Sequence, residues 1–103
     1  MKLPHSEELN TLFKGMLLLE SVEDCRAFFD DLCTVRELED MSQRFNVALL
    51  LNKGESYLEI SQKTGASSAT ISRVARCLNY GSGGYSTAID RMSDLSNLLT
   101  TDN

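Results

Sequence analysis

The sequence predicts an all-α protein of about six helices. Apolar residues recur at intervals of three and four, the period of one helix face, and no segment shows the alternation of a strand. Serine, threonine and glycine residues separate these stretches at positions that suit helix caps. The chain has 103 residues, 42% of them hydrophobic and 24% charged. These values are ordinary for one globular unit, so we expect residues 1–103 to form a single domain.

The first two helices are predicted from serine caps, because a serine oxygen can accept an unpaired N–H at a helix start. Ser6 precedes a helix over about 6–20, whose inner face would hold Leu9, Leu12, Phe13, Met16 and Leu17. Ser21 precedes a helix over about 22–33, whose inner face would hold Cys25, Phe28, Phe29 and Leu32.

Thr34 and Glu37 have the spacing of a capping box, which predicts the start of a third helix. This helix ends at Lys53–Gly54 and directs Leu38, Met41, Phe45, Ala48 and Leu49 inward. Its last part, VALLL (residues 47–51), is apolar on all sides. Such a segment is either the central core helix of one chain or a helix buried by a second chain. The small size of the chain favours the second interpretation, and we expect a homodimer.

The remaining helices follow from the same signals. Ser56 and Glu59 open a short helix over about 57–64, and Gly65 ends it. A fifth helix is expected over about 67–79, followed by a loop with three glycines in residues 80–85. Ser86 is the expected cap of a last helix, whose apolar face would hold Ile89, Met92, Leu95, Leu98 and Leu99.

Residues 57–79 have the pattern of a helix-turn-helix, in which two short helices meet at a turn with glycine. Ile60, Ala66, Ile71 and Val74 are the expected docking positions. The outer side then carries small polar or basic residues, which can approach phosphates and base edges in the major groove. The candidate DNA-binding residues are Lys63, Ser67, Ser68, Ala69, Thr70, Ser72, Arg73 and Arg76. The alternative is a corner between two helices that binds no DNA.

The net charge of −5 is unevenly distributed along the chain. Residues 1–40 contain ten acidic and four basic side chains, whereas residues 41–103 contain five acidic and six basic ones. Residues 57–80 have a net charge of +2. Because only the local field near the phosphates has to be positive, this distribution favours a specific DNA-binding protein over a general coating protein.

Several classes of function have no support in the sequence. The only histidine is His5, and the three cysteines form no CxxC pair, so we expect no metal site, no cofactor and no enzymatic activity. No apolar run is long enough to cross a bilayer and no export signal is visible, which favours a cytoplasmic protein without a membrane partner. The cysteines are then expected to be reduced and buried.

The chain resembles the Trp repressor superfamily, and within it the Trp-repressor-like YerC/YecD group of Gram-positive bacteria. The resemblance is strongest in TVRELEDMSQRFNVALLLNKGESYLEISQKTGASSATISRVARCLN, residues 34–79, and is most specific in GASSATISR. SRVARCLNYGSGGY resembles the signature of the YerC/YecD group. The resemblance implies an intertwined, all-α homodimer with two helix-turn-helix heads that controls transcription.

The resemblance also implies a ligand pocket between the recognition helix and the central core. The two arginines that flank tryptophan in the repressor match Arg44 and Arg73, and a threonine beside the ligand matches Thr34. Two positions depart from the pattern, since Val74 replaces a glycine and Cys77 replaces a serine. We therefore expect no tight binding of L-tryptophan. Either protein side chains fill the pocket, or a smaller anionic effector binds the two arginines.

Together these observations predict a homodimeric transcription regulator, most simply a repressor, that binds a pseudo-palindromic site in double-stranded DNA. The alternative is a dimeric protein-interaction module whose acidic N-terminal half binds a partner and whose helix-turn-helix is structural only.

Overall fold

The structure, a computed structural model, describes the backbone of residues 6–101 and the side chains of residues 6–95. Over this range the chain forms six α-helices and no strand. They are α1 (Glu7–Leu17), α2 (Val22–Leu32), α3 (Val35–Asn52), α4 (Tyr57–Thr64), α5 (Ser68–Tyr80) and α6 (Gly84–Thr101). The predicted all-α fold of six helices is confirmed.

Most of the predicted caps are present. The hydroxyls of Ser6 and Ser21 accept hydrogen bonds from N–H groups in the first turns of α1 and α2. The capping box at the start of α3 is reciprocal. The Glu37 N–H donates to Thr34 Oγ1 at 3.1 Å, and the Thr34 N–H donates to Glu37 Oε1 at 2.8 Å. The hydrogen bond from the Thr34 N–H, followed by a smaller contribution from the Thr34 side chain, lowers the pKa of the Glu37 carboxyl.

The prediction that Ser86 caps the last helix is wrong, because α6 begins two residues earlier, at Gly84. The Thr87 N–H donates to the carbonyl of Gly83 at 3.0 Å, so helical bonding already starts there. Gly83 has a φ of 84°, a conformation that glycine adopts readily, and it gives the chain this earlier entry into the helix.

The chain divides into two compact units, of which the first ends at Leu38 and the second begins at Glu39. In the first unit, neither α1 nor α2 has a buried residue. Leu17 is 83% exposed and Leu18 is 79% exposed. Cys25 is exposed as well, as is Cys77 in the second unit, so the expectation of buried thiols is wrong for these two cysteines. Within the described residues, the apolar faces of this unit are therefore largely open.

The second unit has a core of its own, which α3, α4, α5 and α6 share. The buried residues are Val47, Ala48, Ile60, Ala66, Ile71, Val74 and Ile89. Within the VALLL segment, Val47 and Ala48 are buried, whereas the three leucines are partly buried and pack against the core. A single chain thus covers part of this segment. Of the predicted apolar face of α6, Leu98 and Leu99 lie outside the residues whose side chains are described.

Candidate nucleic-acid interface

Helices α4 and α5 meet at a tight turn, and residues 57–80 are called the head below. Gly65 ends α4 in the left-handed conformation, with a φ of 74°, and its N–H donates to the Ser61 carbonyl at 2.8 Å. A residue with a Cβ would be strained at this φ. The predicted turn glycine is confirmed.

The inner side of the head is apolar and belongs to the core of the second unit. Ile60, Ala66, Ile71 and Val74, the four expected docking positions, are all buried. Val47 and Ala48 from α3 complete the same cluster. Burial of a whole aliphatic side chain of this size contributes about 1.5–3 kcal/mol, so these contacts fix the head firmly to α3.

The outer side of α5 carries most of the predicted DNA-binding residues in exposed positions. The exposed ones are Ser67, Ser68, Ala69, Ser72, Arg73 and Arg76, while Thr70 is half-buried. One helix therefore has an apolar side within the core and a small, polar and basic side open to solvent. The roles of these residues toward DNA stay predictions.

Ser67 and Thr70 bond to each other at the start of α5. Ser67 Oγ accepts the Thr70 N–H at 3.1 Å and lies 3.1 Å from Thr70 Oγ1, to which it donates. Ser67 is therefore the N-cap of α5, and much of the hydrogen-bonding capacity of its hydroxyl is already used. Ser68, Ala69 and Ser72 remain as the exposed small side chains near this end.

Lys63, on α4, is ion-paired with Glu55, which lies in the loop just before the head. Its Nζ lies 2.5 Å from Glu55 Oε1, and this hydrogen bond raises the pKa of the Lys63 ammonium group. The Glu55 side chain is much less exposed than that of Lys63. A phosphate at Lys63 would have to compete with this carboxylate, so the net gain from such a contact is smaller than for an unpaired lysine.

A pocket of about 170 Å³ opens between α3 and α5. It is lined by Asp40, Gln43, Arg44, Thr70 and Arg73. The structure thus brings together the two arginines that the resemblance paired. Arg44 is braced along α3, because its Nε donates to the Asp40 carbonyl at 3.3 Å. Asp40 and Gln43 were not predicted as pocket residues from the sequence. They lie four positions and one position before Arg44 on the same helix, α3.

The other predicted pocket residues have different surroundings. Val74 is 1% exposed and belongs to the apolar core, whereas Cys77 is exposed one turn further along α5. Thr34 lies in the first unit, where its hydroxyl accepts the Glu37 N–H. The part that these three positions play toward a ligand stays a prediction.

Tyr85, near the start of α6, packs against α3 at Phe45, the residue that follows Arg44. Its ring stacks on Phe45, with centroids 6.4 Å apart and an interplanar angle of 23°. Burial raises the pKa of the Tyr85 hydroxyl, and the positive charge of Arg44 opposes that shift. Sequence reasoning placed Tyr85 in a loop and missed this contact, since an aromatic residue after three glycines gives no helical period.

Within the described residues, no group of three or more histidine, cysteine, aspartate or glutamate side chains is placed to hold a metal ion. None of the described helices combines the length and apolar character needed to cross a membrane.

Residues 7–93 match the family model described as Trp repressor protein. The chain belongs to the Trp repressor family. A relative named "Uncharacterized protein YerC", from Bacillus subtilis (strain 168), is 50% identical over 88 residues, which cover 85% of each protein.

Two solved structures of Trp repressor-like proteins have the same fold. One is the crystal structure of a candidate Trp repressor from Staphylococcus aureus, with 47% identity, a TM-score of 0.83 and coverage of 86% of this chain and 89% of that one. The other is a TrpR-like protein from Eubacterium eligens ATCC 27750, with 44% identity, a TM-score of 0.83 and coverage of 85% and 91%. Membership of the Trp repressor family supports a helical DNA-binding regulator, and not an enzyme, as the class of function.

Proposed function

We propose that this Trp repressor family member is a homodimer that binds a pseudo-palindromic operator through its two heads and represses transcription. The observation that carries the proposal is the two-sided character of α5. Ile71 and Val74 are buried, while Ser68, Ser72 and Arg73 are exposed around the same turns. A helix held by its apolar side and open on a small, basic side suits insertion into a major groove.

The proposed dimer is supported by the first unit. α1 and α2 have no buried residue, and Leu17 and Leu18 are largely exposed. Exposed apolar surface of this kind is characteristic of protein interfaces. A second copy of the chain would supply the cover, and two symmetric copies would present two heads to two half-sites.

The proposal is tested by selecting bound fragments from the native genome and measuring the affinity of the best fragment by gel shift at several salt concentrations. We expect selective binding that weakens as salt rises, because phosphate contacts release counterions. The matched pair is Ser68→Thr and Ser93→Thr, since Ser93 is an exposed serine on α6. Only Ser68→Thr should change the preferred sequence. If the folded protein selects no fragment, the interaction-module alternative is favoured.

We further propose that L-tryptophan is not a tight effector of this protein. Val74 is packed in the core, and its branched side chain occupies the position where the family pattern has glycine. Overlap of an added group with a packed side chain typically costs about 1–3 kcal/mol. Calorimetry with and without DNA should give no dissociation constant at or below about 100 μM, which corresponds to a weak free energy of binding. Tighter binding would show that Val74 leaves the pocket open.

A further inference from the structure

A side-chain hydrogen bond connects the core helix α3 to the turn of the head. Gln43 Nε2 donates to the backbone carbonyl of Thr64 at 3.1 Å, across 21 positions of the chain, and the contact is partly buried. Thr64 is the last residue of α4. Carbonyls in the last turn of a helix have no partner within the helix. The carboxamide of Gln43 therefore satisfies an acceptor that α4 itself leaves open.

The Thr64 side chain forms two hydrogen bonds, one to a residue before the turn and one to a residue within it. Its Oγ1 donates to the Ile60 carbonyl at 2.7 Å and accepts the Ala66 N–H at 3.1 Å. Ala66 is buried in the core, and Ser67 follows as the cap of α5. The bond from Gln43 therefore reaches a residue that is hydrogen-bonded on both sides of the turn, four positions before α5 begins. Movement of Thr64 would displace the end of α5 that carries Ser68 and Ala69.

Gln43 also forms part of the wall of the pocket, with Arg44 on its own helix and Thr70 and Arg73 on α5. On this side α3 and α5 are separated by open space, so direct packing between the two helices is limited there. The hydrogen bond from Gln43 to Thr64 connects α3 to the head on this side and needs no bound ligand.

We propose that Gln43 is a positioning residue, which holds the recognition helix α5 at a fixed angle to α3 so that DNA binding requires no small-molecule effector. The inference rests on the proposed function and adds to it how the orientation of α5 relative to α3 is fixed. The carboxamide is uncharged, so this role is independent of pH and, unlike phosphate contacts, nearly independent of salt.

The test compares Gln43→Met, which keeps a long unbranched side chain without a donor, with Gln62→Met, the same change at an exposed position of α4. Amide hydrogen exchange is measured over residues 64–70 in the free protein, well below the unfolding temperature. Affinity is then measured for the selected genomic fragment and for random DNA, with no small molecule added.

We expect Gln43→Met to speed exchange in the turn and to lower affinity for the selected fragment by about 3–10-fold, the range that one hydrogen bond contributes. Binding to random DNA at low salt should be unchanged, because the substitution removes no charge. Gln62→Met should change neither measurement. A purely structural role would lower the melting temperature and leave the ratio of selected to random affinity unchanged.

Two results would overturn the inference while leaving the proposed function intact: unchanged exchange in Gln43→Met, or faster exchange with an unchanged affinity ratio. A requirement of the wild-type protein for a small molecule before it binds DNA would do the same. If the wild-type protein selects no fragment at all, the proposed function fails and the positioning role fails with it.

Discussion

Ile71 in the second unit is fully buried, whereas Leu17 in the first unit is 83% exposed. Both are large aliphatic residues on the apolar faces of amphipathic helices, so their side chains do not explain the difference. Ile71 lies where α3, α4, α5 and α6 contribute to one cluster, while α1 and α2 have no buried residue. The second unit therefore carries its own core, whereas the described helices of the first unit leave large apolar side chains such as Leu17 and Leu18 exposed.

The N-terminal region and the head also differ in charge. The acidic excess lies in residues 1–40, and residues 57–80 carry a net charge of +2. Because only the local field near the phosphates has to be positive, a head with a net positive charge can attract phosphates in a protein that is acidic as a whole. This difference supports the proposed roles, which are assembly for the first unit and nucleic-acid contact for the second.

The largest expected effect concerns the core of the second unit. Ile71→Ala should lower the free energy of unfolding by about 2–5 kcal/mol, because it removes buried methyl groups and leaves a cavity. The matched control is Leu58→Ala in the same head, where the side chain is 69% exposed. It should change the free energy by about 0.5 kcal/mol or less. Urea unfolding followed by circular dichroism gives both values, and similar losses would contradict a core of the second unit centred on Ile71.

A second, smaller effect concerns assembly. Leu17→Glu should raise the dissociation constant of the dimer by about tenfold or more, since a charge would be buried in the interface. Leu58→Glu places the same charge on an exposed leucine of the second unit and should leave assembly unchanged. Sedimentation at micromolar concentration distinguishes them. A wild-type protein that runs as a well-folded monomer would remove the assembly role of the first unit.

A third effect concerns the salt dependence of DNA binding. Arg76→Ala should make the slope of log affinity against log salt shallower by about 0.9, the value for one phosphate contact. Arg91→Ala, at an exposed position of α6, should leave the slope unchanged. Lys63→Ala should have a smaller effect than Arg76→Ala, because Glu55 already pairs with Lys63. An equal effect of Arg91→Ala would show that contact with DNA is not confined to the head.

The smallest effect is pH-dependent and lies in the first unit. The hydrogen bonds from Thr34 hold the pKa of Glu37 below its ordinary value of 4.5. A carboxyl with a lowered folded-state pKa stabilises the fold above the unfolded value, and this contribution disappears as pH falls through the folded value. The difference in melting temperature between wild type and Glu37→Gln should therefore shrink below about pH 4.5. A difference that is constant down to pH 2 would show that Glu37 gives no ionic contribution.

The sequence predicted the helices well because their boundaries are local. Ser21, Thr34 and Gly65 act through bonds to neighbours within four residues, and such bonds can be inferred from spacing alone. The early start of α6 was missed because Gly83 gives the same signal as a loop glycine. Two of the docking positions, Ile71 and Val74, were also predictable, since their spacing of three places them on one face of α5.

The contacts around the pocket were less predictable, because they depend on tertiary geometry. Gln43 lies 21 positions from Thr64, and no local spacing indicates that a glutamine reaches a helix-terminal carbonyl. The pairing of Lys63 with Glu55 also depends on the loop between α3 and α4, which turns Glu55 toward the head. The arginines of the pocket were found through the family resemblance and not through their spacing.

The order of contacts along the chain has a consequence for folding kinetics. In the second unit, α4 packs on α5 and α5 packs on α6, so these contacts join helices that are neighbours in the sequence. Folds dominated by sequence-local contacts form quickly, because little chain entropy is lost before each contact is made. In the proposed dimer, pairing of two chains through the first unit is a bimolecular step, and its rate falls with dilution. At low protein concentration the second unit should therefore form before the chains pair. Stopped-flow refolding should show a fast phase whose rate is independent of protein concentration, followed by a slower phase whose rate depends on it.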